Sequence, residues 1–383
     1  MKTLLGLLSL LIATPTLVFA QTKTVDGASL PRLSLSKPAE HGGVYNHAFT
    51  PDGKKLAALT WIVRGTSNGG AKEKLAGGEI YLLDTRKGSI SRVLGSHDQN
   101  PIWLRFTEDG KTLGSYSDDD HTLKLWKTTG KKPKAVIDLG GPCGLNSSPR
   151  MSANGETLVH LVHRKLPIGE RGLLTGHTLT GWDLKKKKQS WSISAEGPMG
   201  GLSAKYGVSP DGDKVAVYIR HVEWREENGR GRGTNGETYH AVLNAKTGEE
   251  LWRVDGGHTV RTAPGKQVLF SPDGTEVLTA GNTWIHRYDA GTGDPLGEKI
   301  GVKQEDSLRE VFFSEDGDRL LVTRLFGKQL DVYAFPSGEH ELAVMFDDSA
   351  KFTHACPTGD LKKVAGRVGF DAVVLDLSKA LKK

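Results

Sequence analysis

Residues that could do chemistry are scattered through this chain rather than gathered. "GTSNG" (Gly65–Gly69) has the G-x-S-x-G spacing that presents a hydrolase nucleophile. That chemistry needs a strand–turn–helix elbow with an oxyanion hole, and this copy sits in a Gly-rich loop between two strand-like runs. "GRGRG" (Gly229–Gly233) is Gly-rich, but it neither follows a strand-to-helix turn nor precedes the Lys of a phosphate loop, and it reads as a loop tip. His160 and His163 in "HLVH" would fall on opposite sides of a strand. Two imidazoles also fall short of a zinc set. "DDD" (Asp118–Asp120) suggests calcium, though a turn accounts for Asp120. No carboxylate pair stands out as an acid–base couple. The expectation is no catalytic set, no metal and no cofactor.

The elements that would position any site are announced by a repeated corner. "LFSPDG" (Leu269–Gly274) has close variants ending at Gly53, Gly110, Gly155, Gly212, Gly317 and, more degenerate, Gly359 in "CPTG", where Cys356 takes the Ser position. In "SPDG", Ser271 opens a type I turn, Pro272 presets the next φ and Gly274 takes the left-handed conformation. Short runs rich in β-formers flank each corner, such as "KQVLF" and "EVLTA", and a third strand follows, such as "WIHRYDA". No amphipathic helix interrupts them. The 48 glycines, well above the usual share of about 7%, agree with many tight turns. Seven such units, three of their six spacings at a period of about 40–45 residues and the other three longer, predict an all-β, seven-bladed β-propeller of four-stranded antiparallel blades.

The chain resembles the WD-repeat and WD-like propellers of the exported bacterial type. In blade two, His97, Ser115, Asp120 and Trp126 match the family's structural tetrad, and "GWD" with Trp182 and Asp183 carries its signature dipeptide. The dipeptide "GH" recurs at His177 and His258. Only blade two has the full tetrad, so the other blades are expected to rest on apolar packing. The resemblance implies a shared shape rather than a shared chemistry.

The chain stops just after "AVVLD", a third strand, so the last blade needs an outer strand from elsewhere. "RLSLS" (Arg32–Ser36) is the expected donor, since an open ring would expose strand edges. Cys143 and Cys356 then fall in non-adjacent blades, out of the roughly 4.4–6.8 Å reach of a disulfide, and both thiols are expected to be free.

Blades one, three and four carry extra length between their second and third strands: residues 60–79, 160–177 and 219–240. In this topology those three loops rise on one face of the disc. They hold Trp61, Arg64, His163, Arg164, Arg171, Arg220, His221, Trp224 and Arg225. Interfaces favour Trp and Arg, which sets these loops apart from neutral length variation. Their charges nearly balance, against a surface that tracks phosphates or nucleic acid. The expected function is a non-enzymatic binding or scaffold module for a protein, peptide or glycan, acting as a monomer. The rival is a lactonase-like or quinoprotein-like propeller with a site at the channel mouth, where first strands offer Asn46, Arg105, Arg150, Arg309 and His354.

The first twenty residues, "MKTLLGLLSLLIATPTLVFA", join one Lys, an apolar run and small residues at Val18 and Ala20. They are expected to be a cleaved signal peptide, leaving residues 21–383 as one exported domain, periplasmic or extracellular, with no lipid anchor and no later spanning segment. The net charge of +6 is a poor warrant for nucleic acid.

Overall fold

The computed structural model describes residues 22–30, 32–34, 41–64, 74–98, 101–143, 148–168, 172–194, 200–227, 230–255, 267–281, 283–302, 308–324, 326–347, 351–368 and 371–382. The expected signal segment, Gly65–Gly69, Arg171 and His258 lie outside them. Two short strands come first, β1 (Lys23–Asp26) and β2 (Arg32–Ser34). Blade one is β3 (His41–Phe49), β4 (Lys55–Arg64), β5 (Lys74–Asp84) and β6 (Ile90–His97). Blade two is β7 (Pro101–Phe106), β8 (Thr112–Ser117), β9 (Thr122–Lys127) and β10 (Pro133–Asp138). Blade three is β11 (Arg150–Met151), β12 (Thr157–Ile168), β13 (Gly172–Asp183) and β14 (Lys188–Ser194). Blade four is β15 (Gly200–Val208), β16 (Lys214–Glu227), β17 (Arg230–Asn244) and β18 (Glu250–Asp255). Blade five is β19 (Gln267–Phe270), β20 (Glu276–Ala280), β21 (Trp284–Asp289) and β22 (Ile300–Gly301). Blade six is β23 (Leu308–Phe313), β24 (Arg319–Arg324), β25 (Gln329–Ala334) and β26 (His340–Met345). Blade seven begins with β27 (Phe352–Pro357), β28 (Lys363–Val368) and β29 (Asp371–Asp376).

These strands form seven sheets, each in simple sequence order from inner to outer edge, which is a seven-bladed propeller. One device makes every corner. Thr50 Oγ1 donates to Asp52 Oδ1 (2.7 Å) and accepts from the Lys55 amide (3.0 Å). The same pair of bonds recurs at Thr107, Ser152, Ser209, Ser271 and Thr358, with Asn154 in place of the acid in blade three. Ser314 likewise accepts from the Arg319 amide. The hydroxyl's bond holds the Asp52, Asp109 and Asp273 carboxyls below their ordinary range.

The corners also touch one another in a circle. Gly110 packs on Pro51, Gly155 on Thr107, Gly212 on Ser152, Gly274 on Pro210, Gly317 on Pro272, Gly359 on Glu315 and, closing the ring, Gly53 on Thr358. The Glu108 amide donates to the Ala153 carbonyl (2.8 Å), tying corner two to corner three. All first-to-second-strand corners therefore share one face, and second-to-third-strand connections share the other.

At the seventh corner the register differs from the sequence reading. Thr358, not Cys356, supplies the hydroxyl, and the left-handed position is Leu361 (φ 55°), not Gly359. A leucine there costs roughly 1–2 kcal/mol. Leu361 is fully buried, and burying such a side chain is worth about 1.5–3 kcal/mol, so packing offsets the strain.

The core lies between blades rather than within them. Seven apolar clusters each join two neighbours, such as Val159, Leu161 and Leu179 of blade three with Tyr206, Val217 and Tyr239 of blade four. Trp191 Nε1 donates across that boundary to the Ala245 carbonyl (2.8 Å), and Trp252 Nε1 reaches Ala290 of the next blade (3.2 Å).

Ring closure uses both N-terminal strands. β2 pairs antiparallel with β29, Arg32 opposite Leu375, and supplies the outer strand of blade seven. β1 was not expected from the sequence. It pairs in parallel with β26, Val25 opposite Val344, and makes blade six five-stranded. Between them Gly27 crosses Phe346 so closely that a Cβ would overlap the ring, and Leu30 is buried among the residues of blades six and seven. Thr22 Oγ1 adds a hydrogen bond to the His340 carbonyl (3.0 Å).

Leu30→Ala should cost about 2–4 kcal/mol in urea unfolding. Removing residues 21–34 should lower the melting temperature further than that single change. Unchanged melting of the truncated chain would show that the clasp contributes nothing to the ring.

Candidate functional site

Opposite the corners, three hairpins outgrow their blades. β4 pairs with β5 as far as Arg64 opposite Lys74, β12 with β13 as far as Ile168 opposite Gly172, and β16 with β17 as far as Glu227 opposite Arg230. The sequence reading took these segments as loops; the structure makes them β-ribbons. Gly and charged residues depress strand propensity there, but pairing satisfies every second backbone group along both arms. "GRGRG" is corrected likewise: Arg230–Gly233 belong to β17.

The ribbons carry most of the residues singled out from the sequence. Trp61 stands opposite Gly78 and Arg64 opposite Lys74. His163 faces His177 and Arg164 faces Gly176. Arg220 pairs with Thr238, His221 falls at the bulge that follows, and Trp224 and Arg225 pair with Gly233 and Arg232. They lie on three ribbons, two of them on adjacent blades. Arg171 lies outside the described residues.

The second place where chemistry-bearing side chains gather is the central channel. Residues of the first strands line it: the exposed Arg105 and the half-exposed Asn46, Arg150, Lys205, Gln267, Arg309, Glu310, His354 and Cys356. Two amides are spent on the scaffold. Asn46 Nδ2 donates to the Ile102 carbonyl (2.9 Å), and Gln267 brackets Val311 by donating to its carbonyl (2.9 Å) and accepting from its amide (2.7 Å). Electrostatic interactions between Arg150 of blade three and Glu310 of blade six, and between Arg105 of blade two and Cys356 of blade seven, join blades that only the channel separates. Burial pushes the Glu310 carboxyl up, with Arg309 and Arg150 opposing it. Burial, then Arg309, His47 and Arg367, brings the His354 imidazole down to about 4.

The tetrad residues of blade two meet. Trp126 Nε1 donates to Ser115 Oγ (2.8 Å), His97 Nε2 lies 2.7 Å from the same oxygen, and His97 Nδ1 is 3.5 Å from Asp120 Oδ2. Ser115 accepts from Trp126 and donates to Nε2, which leaves the Nδ1 proton on the side of Asp120, a tautomer assigned from the network. Burial opposes ionisation of Asp120, but bonds from His97 and Thr122 hold its carboxyl well below the usual range. Asp118 Oδ1 accepts from the Cys143 amide (2.5 Å), so two acids of "DDD" serve the fold. Among the described residues no group of His, Cys, Asp and Glu is spaced to hold a metal ion. Both cysteines are free thiols, and Cys143 Sγ lies 3.4 Å from His160 Nδ1.

One network had no sequence signal. In blade six the buried Arg324 donates through Nε (2.9 Å) and Nη2 (2.6 Å) to Asp331 Oδ2, while His340 and Gln329 reach Oδ1. It joins three strands of the blade, β24, β25 and β26.

The architecture is that of a seven-bladed β-propeller. No family model matches the chain, and no curated protein matches it. Among solved structures it is similar to a chain of "Kuenenia stuttgartiensis Hydrazine Synthase", with TM-score 0.57 and 11% identity over 89% of this chain and 97% of that one. It is similar also to a chain of "Crystal Structure of Mitotic Checkpoint Complex", with TM-score 0.58 and 11% identity over 98% of both. At that identity the likeness is one of fold.

Burial brings the imidazoles of His47 and His160 down to about 4, as it does His354. In the unfolded chain the same groups take up protons near 6.5. Between those values the unfolded state holds more protons, so stability declines as pH falls from about 6.5 to 4. Urea midpoints should be level above pH 7 and drop through that window, by on the order of 3 kcal/mol for each of His47 and His160. His160→Gln should flatten the slope; an unchanged slope would rule His160 out as a contributor.

Proposed function

We propose that the chain is an exported, non-catalytic binding or scaffold module. It acts as a monomer and holds a protein, peptide or glycan on the face that bears the three ribbons. The observation that carries this reading is the shared face of those ribbons, which follows from the ring of corners on the opposite side. Binding residues concentrate on elements that a rigid scaffold holds out from its body. The ribbons present Trp61, Arg64, Arg220, Trp224 and Arg225, of the two residue types that dominate interface energetics. Their near-neutral balance fits a mixed polar and aromatic partner better than nucleic acid. Export rests on the first twenty residues, with cleavage after Ala20.

Two measurements test this. Replacing the distal halves of the three ribbons by two-residue Asn-Gly turns should leave melting nearly unchanged. The variant should lose partners that the intact chain recovers from the secreted and envelope fractions of its own cell; equal recovery by both would remove the ribbon face as the binding surface. N-terminal sequencing of the exported protein should begin at Gln21, and a chain retaining Met1 would refute the cleavage.

A further inference from the structure

Arg105 and Arg150 occupy equivalent places on neighbouring blades, each two residues before its corner hydroxyl, Thr107 or Ser152. Those two corners touch, Gly155 on Thr107, and are bonded through Glu108 and Ala153. The two side chains thus start from neighbouring positions at the corner end of the channel, near enough that Arg150, after burial, weakens Arg105's hold on its proton. Arg105 is reached by solvent yet ringed by protein, as a side chain inside a channel is. Neither residue donates a hydrogen bond or forms an ion pair with any described residue, whereas Arg287, Arg319 and Arg324 each have a carboxylate in contact. Glu310 faces Arg150 across the channel but is not in contact with it.

A like-charged pair with no counter-ion in contact among the described residues is unfavourable, and it leaves ten N–H donors, five on each fork, without a described partner. We infer that the corner end of the central channel is a binding site for a compact phosphate-type oxyanion, held between Arg105 and Arg150. A doubly charged group balances both guanidiniums, where a single carboxylate would leave one over. Two forks converging from adjacent strands suit the several oxygens of such a group. The site lies at the far end of the channel from the ribbons, so it stands whether or not the ribbon face binds a partner.

The test uses the full mature chain and inorganic phosphate. Phosphate should raise the melting temperature saturably, beyond what sodium chloride does at the same ionic strength. Arg105→Gln and Arg150→Gln should each weaken phosphate binding by about tenfold or more. Each should also melt no lower than the parent without phosphate, because it removes a like charge; this separates lost binding from lost folding. Arg92→Gln, on an outer strand, should respond as the parent does. A phosphate effect matched by chloride, or equal in the parent and both channel variants, overturns the inference.

Discussion

Every apolar cluster in this molecule is shared by two blades, and that sharing is the constraint on which the rest depends. A four-stranded sheet such as blade three buries Leu161 and Leu179 only because blade four lays Tyr206 and Val217 against them. A blade alone would present two apolar faces to water, and an unclosed row would still present one at each end. Closure is therefore a condition of the core. The circle of touching corners fixes which blade follows which, and the tryptophan bonds from blades three and four reinforce two of the boundaries.

What could be read in advance was whatever is written in local chemistry. A Ser or Thr, an acid two residues on and a Gly after it bond to one another within six residues, so "SPDG" and its variants could be recognised without knowing the fold. The donor strand for blade seven was legible as well, because "RLSLS" alternates and the last blade lacked an edge. β1 was not, since "KTVD" has no pattern and its partner β26 lies far away in sequence. At the seventh corner Gly359 drew attention by type, while the left-handed turn fell on Leu361, held there by its burial. The ribbons were missed as strands because composition argues for loops and only the pairing argues otherwise. For the site, sequence could place residues on the right hairpins and name Arg105 and Arg150 as first-strand residues. It could not show that the two arginines precede corners that touch, because that depends on which blades are neighbours.

The two ends of the disc differ in kind. The ribbon end extends outward on long paired arms, with aromatic and cationic residues spaced along them. The corner end is compact, built from turns that bond to their own strands and touch their neighbours. Asn46 bonds the Ile102 carbonyl on the strand that carries Arg105, which ties that strand to blade one.

The clasp made by β1 and β2 has a consequence for the order in which the molecule can be made. Arg32 waits for Leu375, and Val25 for Val344, so the earliest strands synthesised are the last to find neighbours. Until β29 has been made, β2 has no partner and blade seven has no outer strand, so the ring cannot be sealed before then.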